Sequence, residues 1–228
     1  MSGGVTSMGN AGIAAVLFDY GGVIAEEGFV GGLTALADTG GLDRDFFIDA
    51  AFDLVASTGY LTGRADEAAF WKALREKTGI AGTDECLRRE ILARFVLRPW
   101  VLDLADDLGS LDLTVGILSD QTDWLDRLDA RDGFFRHFDY VSNSFHLGLS
   151  KRDGEVFVET ARRLDIPGEC ICLIDDNEGN CGRARECGWH AIAYRTGGQV
   201  LRELKELVSG LDLSRYGGVT ADEGEAGR

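Results

Sequence analysis

The sequence lacks long hydrophobic runs and is poor in positive charge. It contains no stretch of about 18 consecutive apolar residues, the length that a membrane-spanning helix needs. Lys and Arg together number 23 against 39 Asp and Glu, so the formal net charge is -16 and the pI is about 4.5. Such a chain repels nucleic acid and anionic membranes, and we expect neither as a partner. It also repels phosphorylated molecules, unless a site supplies local cations such as a bound metal ion.

Paired cysteine motifs are also missing. The five cysteines stand at positions 86, 170, 172, 181 and 187, and no CxxC motif occurs. We therefore expect reduced thiols in a cytoplasmic protein. A zinc site built from the last four cysteines is disfavoured, because their spacing matches no known ligand pattern. Residues 1–12 lack the basic start and apolar stretch of a signal peptide, and we expect them to form a flexible N-terminus.

What the sequence does contain is a series of continuous apolar runs. Three of them end in polar residues, and they cover residues 13–18, 113–118 and 170–174. Strands covered on both faces lack polar alternation, so these runs indicate a parallel sheet. A further strand is predicted at 190–194, and helical patterns follow the strands at 124–131, 155–164, 180–187 and 200–208. The alternation predicts a doubly wound, Rossmann-like α/β fold, in which ligands bind beyond the carboxyl ends of the strands.

One segment interrupts this alternation. Residues 26–98 contain helical patterns, among them 43–56 and 67–78, but no clear strand. The segment predicts a small helical cap inserted after the first strand, with Pro99 marking the return to the core. The core of the cap is expected to contain the large aromatic residues Phe29, Trp71 and Trp100. The predicted organisation is a flexible terminus at 1–12, an α/β core at 13–25 and 99–210, the cap at 26–98, and a flexible acidic tail at 211–228.

Two polar motifs at strand ends suit phosphate binding. The first reads F-D-Y-G-G-V-I at residues 18–24 and contains Asp19, Gly21 and Gly22. Two glycines after a carboxylate expose backbone N–H groups that can bind a phosphate, although an aspartate in a tight turn has the same pattern. The second motif, Ser119-Asp120, opens a helical segment. Its hydroxyl and the backbone N–H groups suit an anion, although an ordinary helix N-cap uses the same residues.

Two further motifs can supply a cation and a metal site. Lys151 stands in L-S-K-R-D, and a compact ammonium there can pair with both a carboxylate and a phosphate; a solvated loop charge is the alternative. The motif I-D-D-N-E-G-N at residues 174–180 carries Asp175 and Asp176. Adjacent carboxylates after an apolar strand are unfavourable unless a cation or hydrogen bonds hold them. Their hard oxygen ligands favour Mg²⁺, and a capped strand–helix turn is the alternative.

The motifs together are more specific than any one alone. In chain order they supply a nucleophile, a hydroxyl donor, a cation and a metal site, which phosphoryl transfer to a carboxylate requires. Over residues 13–210, including D-D-N-x-x-N and Gly188-Trp189, the pattern resembles the haloacid dehalogenase (HAD) superfamily. Within that superfamily it is similar to the helical-cap phosphatases like glucose-1-phosphate phosphatase, whose first motif also reads D-x-G.

The resemblance implies a role for each motif residue. Asp19 would attack phosphorus and form an aspartyl-phosphate, which water then hydrolyses. The phosphoryl oxygens would be held by Gly21, Gly22, Ser119, Asp120 and Lys151, and Lys151 would also orient Asp19. Mg²⁺ would be bound by Asp19, Asp175, Asp176 and the Gly21 carbonyl. Asn180 would support the Asp176 turn.

The first motif departs from the usual D-x-D of the family, since Gly21 stands where an acid/base aspartate is expected. General acid–base help contributes roughly 10²–10⁴-fold to a rate. A good leaving group, such as an anomeric phosphate, needs it less, and another residue could supply it. The candidates are Glu26, Glu27 and His146. Arg152, in place of the proline that commonly follows the family's lysine, is expected to matter little.

The expected function is thus a Mg²⁺-dependent phosphatase acting on a small phosphorylated metabolite, such as a sugar phosphate. Gly21 favours one alternative, a non-catalytic protein that binds a phospho-ligand or another protein. Haloacid dehalogenases need no metal, so the paired aspartates argue against that activity. A phosphomutase is a further alternative, and of these activities it depends most on the acid/base aspartate that Gly21 replaces.

Overall fold

The computed structural model describes residues 12–221, within which five parallel strands form a single sheet. The strands are β1 (Ala15–Phe18), β2 (Thr114–Ser119), β3 (Tyr140–Asn143), β4 (Ile171–Asp175) and β5 (His190–Ala193). Their order in the sheet is β3-β2-β1-β4-β5, and each neighbouring pair is parallel. The predicted α/β fold with a parallel sheet is therefore confirmed.

The burial of the strands explains which of them the sequence revealed. β1 and β4 lie at the centre of the sheet and are buried at every residue, as their continuous apolar runs indicate. β3 lies at an edge of the sheet, where Val141 is 36% exposed. Its sequence Y-V-S-N forms no apolar run, so this strand was not among the predictions.

Helices connect the strands and cover the sheet. Beyond residue 98 they are α5 (Pro99–Gly109), α6 (Trp124–Asp132), α7 (Ser144–Leu147), α8 (Glu155–Leu164), α9 (Glu178–Glu186), α10 (Gly197–Leu207) and α11 (Gly217–Ala221). α8 has the predicted bounds, whereas α10 begins three residues before the predicted start, because Thr196 caps it by accepting from the Gln199 amide. α5 was not predicted as a helix; it begins at Pro99, a residue well suited to a first helical position.

Residues 26–98, hereafter the helical insert, consist of helices and turns. The helices are α1 (Gly28–Gly40), α2 (Arg44–Ser57), α3 (Glu67–Thr78) and α4 (Asp84–Leu92), with a 3-10 helix at Tyr60–Thr62. α1 packs closely against α4 at Gly32. A Cβ at this position would lie only 2.5 Å from the Ile91 Cα, so the close approach requires a glycine. Acidic and hydroxyl side chains cap the next three helices, namely Asp43, Asp66 and Thr83.

The helical insert shares an aromatic core with the α/β part. Trp71 is fully buried and stacks on Trp124 of α6, with ring centroids 5.9 Å apart. The Ser144 hydroxyl donates to the Leu61 carbonyl at 2.9 Å, which fixes the insert above the end of β3. Trp71 thus has the predicted core position, but Trp100 does not, because it lies on α5 and stacks on Tyr194.

The C-terminal segment packs against the core further than the sequence predicted. Leu211 and Tyr216 are each 2% exposed, and the Tyr216 hydroxyl donates to Asp107 Oδ2 at 2.6 Å. The flexible tail was predicted to cover residues 211–228, but the ordered chain continues beyond residue 211, since Leu211, Tyr216 and Val219 pack against the core. The rest of that tail, residues 222–228, and residues 1–11 of the predicted flexible N-terminus lie outside the described residues. No helix of the described part is both long and apolar enough to cross a bilayer.

Candidate active site

Asp19 lies at the carboxyl end of the central strand. Phe18 is in register with Ile117 of β2 and Ile174 of β4, so Asp19 emerges between the ends of both neighbours. Its backbone N–H donates to the Ile174 carbonyl at 2.8 Å, which continues the sheet pairing to this residue. Because the strand order reverses beside β1, Asp19 occupies the topological switch point where doubly wound sheets bind ligands.

Both carboxylate oxygens of Asp19 are held by neighbouring groups. Oδ1 accepts hydrogen bonds from the Ser119 hydroxyl at 2.8 Å and from the Tyr20 amide at 2.7 Å. Oδ2 lies 2.8 Å from Lys151 Nζ. Burial raises the pKa of Asp19; Lys151 opposes this rise, and the Asp175 charge adds to it. A divalent cation bound beside Asp19 would favour its ionised, nucleophilic form.

Lys151 is a buried cation rather than a solvated loop charge. Its side chain is fully buried, and Nζ lies 2.5 Å from Asp175 Oδ2 as well as 2.8 Å from Asp19. Burial alone would lower the pKa of Lys151, but the carboxylates of Asp175, Asp19 and Asp120 raise it above its usual value. The ammonium therefore stays charged between the two aspartates.

The backbone around Lys151 is fixed from two sides. The Asp120 carboxylate accepts the Lys151 amide at 2.8 Å, and Arg183 Nε donates to the Lys151 carbonyl at 2.6 Å. Asp120 was predicted to bind phosphate. Its side chain is instead committed to the Lys151 loop, which leaves its backbone N–H as the group that can bind an anion.

Asp175, the last residue of β4, is held in a network of donors. Its side chain is fully buried and accepts from Lys151, from the Asn177 amide at 2.8 Å, and from Asn180 Nδ2 at 3.1 Å to each oxygen. Asn180 was predicted to support the Asp176 turn. The first turn of α9 returns Asn180 beside the end of β4, where its amide donates to Asp175, the residue that precedes Asp176.

The acidic cluster fits a metal ion. Asp19, Asp175 and Asp176 each offer an oxygen, and these oxygens lie within 4.8 Å of one another. The Asp176 carboxylate lies against Gly22, which has φ +77° and where any Cβ would overlap that carboxylate. Partial burial and the Asp175 charge raise the pKa of Asp176, and the Lys151 charge opposes this rise. Three hard oxygen donors of this kind fit Mg²⁺.

A cavity of about 350 Å³ opens above these residues. Its floor carries the polar groups of the strand ends and α9, including Asp19, Ser119, Asp120, Asp176, Asn180, Arg152 and Arg183. Its walls come from the helical insert and are mostly apolar, with Phe29, Val30, Phe52, Val55 and Leu61. Phe29, predicted to belong to the core of the cap, is thus a wall residue and meets Phe52 edge-on at 5.1 Å.

The three candidates for the missing acid/base group lie in different surroundings. Glu27 lines the cavity, and its Oε1 accepts from the Phe29 and Val30 amides at 3.0 and 3.1 Å. Loss of solvent raises the pKa of Glu27, and the Val30 amide opposes this rise. Glu26 pairs with Arg98 at 2.8 Å and lines a different cavity. His146 pairs with Asp126 at 2.7 Å on the surface.

The sequence reasoning missed two basic residues of the site. Arg183 donates to both the Lys151 carbonyl and Asn180 Oδ1, and Arg152 lines the cavity beside it. Arg183 stands three positions after Asn180 on α9, and residues at this spacing share a helix face, so this signal was readable. The wall residues of the helical insert carried no comparable signal, because their position depends on how the insert packs over the sheet.

Comparisons with known proteins agree with the fold. No protein-family model matches the chain. Rat bifunctional epoxide hydrolase 2 is 24% identical over 214 residues, covering 83% of this chain, which spans only 38% of that relative's length. A HAD family enzyme from Bacteroides thetaiotaomicron, in complex with magnesium and inorganic phosphate, is 21% identical with a TM-score of 0.66, covering 90% of this chain and 100% of that chain.

A dehalogenase structure is similar as well. L-2-haloacid dehalogenase from Xanthobacter autotrophicus, with chloropropionic acid covalently bound, is 18% identical with a TM-score of 0.59, covering 90% of this chain and 87% of that chain. These likenesses establish the fold. The chain has the α/β fold of HAD family enzymes, as the resemblance of its motifs predicted.

Proposed function

We propose that the chain is a Mg²⁺-dependent phosphatase that transfers the phosphoryl group of a small phosphorylated metabolite to Asp19 and then to water. One observation carries this proposal. The Asp19 carboxylate is held by Ser119 and Lys151 beside a pair of carboxylates, Asp175 and Asp176, at the floor of a cavity. A fixed nucleophile, a buried cation and a metal-binding cluster are the parts that phosphoryl transfer to a carboxylate needs.

Each residue has a task in this reaction. Ser119 and the Tyr20 amide hold Asp19 Oδ1, so the carboxylate is oriented before substrate arrives. Lys151 supplies positive charge beside Asp19 Oδ2, next to where the phosphoryl oxygens would lie. Asp19, Asp175, Asp176 and the Gly21 carbonyl would hold Mg²⁺, which supplies further neutralisation of the phosphoryl charge when bound. The backbone N–H groups of Gly21, Gly22 and Asp120 would bind the same oxygens.

The lining of the cavity also indicates which leaving groups the substrate could carry. Its insert side presents Phe29, Phe52 and Leu61, so part of the leaving group meets an apolar wall. The helical insert then acts as a cap that selects the leaving group, since segments over a rigid scaffold commonly carry specificity. A sugar phosphate, an aryl phosphate and an alkyl phosphate together sample the polar and apolar leaving groups that this cavity could take. The five free cysteines support a reducing, cytoplasmic location.

Two other functions have some support. The absence of a carboxylate at Gly21 favours a protein that binds phosphate without turning it over. The similarity to a haloacid dehalogenase supports carbon–halogen hydrolysis. Against the latter, three clustered carboxylates would repel a haloacid anion unless a cation neutralised them. A phosphomutase would also use Asp19, but it depends on an acid/base group and on the exclusion of water.

The proposal predicts turnover that requires both Mg²⁺ and Asp19. We expect phosphate release from at least one of p-nitrophenyl phosphate, a sugar phosphate and an alkyl phosphate when Mg²⁺ is present, and none after its removal by a chelator. Asp19→Asn, which keeps the shape of the side chain, should abolish release while the thermal melting curve stays cooperative. Tight phosphate binding without any turnover would instead support a binding protein. Halide release from a 2-haloacid without metal would contradict the phosphatase.

A further inference from the structure

Two proton transfers in the proposed reaction have no assigned residue, because Gly21 carries no side chain. The leaving oxygen must gain a proton in the first step, and water must lose one in the second. We propose that Glu27 performs both transfers, with its Oε2 replacing a carboxylate that residue 21 cannot supply. This inference rests on the proposed phosphatase function and assigns a further catalytic residue to the same site.

The position of the Glu27 carboxylate carries the inference. A Cβ built on Gly21 would point at Glu27 Oε2 and lie 3.0 Å from it, with the Phe95 ring next at 3.5 Å. The space that a side chain on residue 21 would enter is therefore occupied by a carboxylate from residue 27. Glu27 lines the same cavity as Asp19, Ser119 and Asp176, so it borders the space in which the reacting groups would meet.

The two oxygens of Glu27 have separate tasks. Oε1 accepts the Phe29 and Val30 amides at 3.0 and 3.1 Å and so caps the N-terminus of α1. These bonds fix the side chain and turn Oε2 toward Gly21. Ser, Thr, Asp and Asn are the residues that helices prefer at this position, so the helix alone does not account for a glutamate. A longer side chain is what lets one oxygen cap the helix while the other reaches the cavity.

The neighbouring acidic residue does not share this arrangement. The carboxylate of Glu26 is held by Arg98, whose Nη2 and Nε lie 2.8 and 3.1 Å from its two oxygens. The helical insert therefore contributes Glu27 to the cavity and directs Glu26 away from it.

The proton balance closes with Glu27 alone. In the first step Asp19 forms a bond to phosphorus, the bond from phosphorus to the leaving oxygen breaks, and that oxygen takes the proton of the Glu27 carboxyl group. In the second step the Glu27 carboxylate takes a proton from water as the water oxygen bonds to phosphorus. The bond between phosphorus and Asp19 then breaks, which releases phosphate and restores both Asp19 and protonated Glu27.

Leaving-group dependence tests the proposal. Phenyl phosphate and p-nitrophenyl phosphate have similar shapes, but the nitrophenolate leaves without protonation and phenolate does not. Glu27→Gln keeps an oxygen for the helix cap and removes the transferable proton. We expect it to lower kcat/KM by about 10²-fold or more for phenyl phosphate and by far less for p-nitrophenyl phosphate. With the latter it should also release one equivalent of nitrophenol per enzyme in a burst, because the second step lacks its base.

Matched variants separate this role from a structural one. Glu27→Asp keeps a strong N-cap but shortens the reach, and it should show the same selective loss. Glu26→Gln should affect the two substrates equally. Gly21→Asp combined with Glu27→Ser, which still caps the helix and vacates the space beside residue 21, should recover activity on phenyl phosphate. Equal kcat/KM losses on both substrates in Glu27→Gln, or no loss, would overturn the role of Glu27 while leaving the phosphatase intact. A wild-type protein inert toward every phosphate ester would instead overturn the proposed function itself.

Discussion

Lys151 and Asp175 are the residues on which the rest of the candidate site depends. Both side chains are fully buried, and the ammonium joins Asp175 to Asp19. Charged groups are buried at a large desolvation penalty, which is offset only when their partners and hydrogen bonds are complete. Asp175 meets that condition through Lys151, Asn177 and Asn180. The pair therefore fixes the position of Asp19 as well as its surroundings.

Removing the charge of Asp175 should weaken both stability and activity. In Asp175→Asn the buried ammonium keeps Asp19 as a partner but faces an amide in place of a carboxylate. We expect the free energy of unfolding to fall by about 3 kcal/mol, near the lower end of the 3–5 kcal/mol that breaking a buried pair costs. Urea denaturation of the metal-free protein measures this change.

Asp176→Asn is the matched control, because Asp176 is adjacent but exposed. Its unfolding free energy should change by less than about 1 kcal/mol, while Mg²⁺-dependent activity is lost. Equal destabilisation by the two variants would contradict the distinction between a buried anchor at Asp175 and an exposed ligand at Asp176.

At this scale the sequence revealed residue types but not their partners. The strand-end positions of Asp19, Ser119 and Asp175 followed from apolar runs that stop at polar residues. Whether Asn180 contacts Asp175 or Asp176 depends on where α9 starts, which the periodicity misjudged by two residues. Glu27 reaches Gly21 only because it also caps α1, and that dual contact has no signature in a single sequence.

At the scale of elements, the sequence predicted the central strands and the edge strand β5, but not the edge strand β3. β1 and β4 are buried on both faces, so hydrophobicity alone identifies them. β3 is an edge strand whose sequence, Y-V-S-N, forms no apolar run, so it gives no such signal. The helices of the insert were readable as helices, but the face that each turns toward the sheet is decided by packing. α2 shows the consequence, since one of its phenylalanines lines the cavity and another does not.

The wall formed by α2 should select the leaving group. Phe52 lines the cavity and meets Phe29 edge-on, whereas Phe46 on the same helix is 49% exposed and is not among the residues that line it. An aromatic pair contributes about 0.5–1.5 kcal/mol, so Phe52→Ala should raise KM for phenyl phosphate roughly 2- to 13-fold. Inhibition by inorganic phosphate, which has no ring, should stay unchanged.

Phe46→Ala is the control for this prediction, and steady-state kinetics provide the measurement. It removes the same side chain from the same helix, so its KM for phenyl phosphate should match the wild type. A similar rise in KM for both variants would indicate a general disturbance of α2 and would refute a contact between Phe52 and the leaving group.

At the scale of the whole molecule, the fold brings the residues of the candidate site together at one edge of the sheet, while the net negative charge repels an anionic substrate. The net charge of -16 repels a phosphate ester, yet Arg152 and Arg183 line one cavity at the switch point of the sheet, and the buried Lys151 pairs with Asp19 in the same lining. The sequence predicted this α/β architecture and the need for local cations. Arg183 was not among the predicted site residues, although its spacing from Asn180 places both on one face of α9; its contact with the Lys151 carbonyl depends on how α9 packs beside the Lys151 loop.

The central claim is that Asp19 carries the phosphoryl group during turnover. The most direct test is to quench the Mg²⁺-loaded protein in acid while it hydrolyses p-nitrophenyl phosphate and to locate the modified residue by peptide mass spectrometry. We predict one phosphoryl group on Asp19, removable by hydroxylamine as an acyl phosphate is, and more of it in Glu27→Gln than in the wild type. Continued hydrolysis with no phosphoryl group on Asp19, or with the group on another residue, would contradict the account.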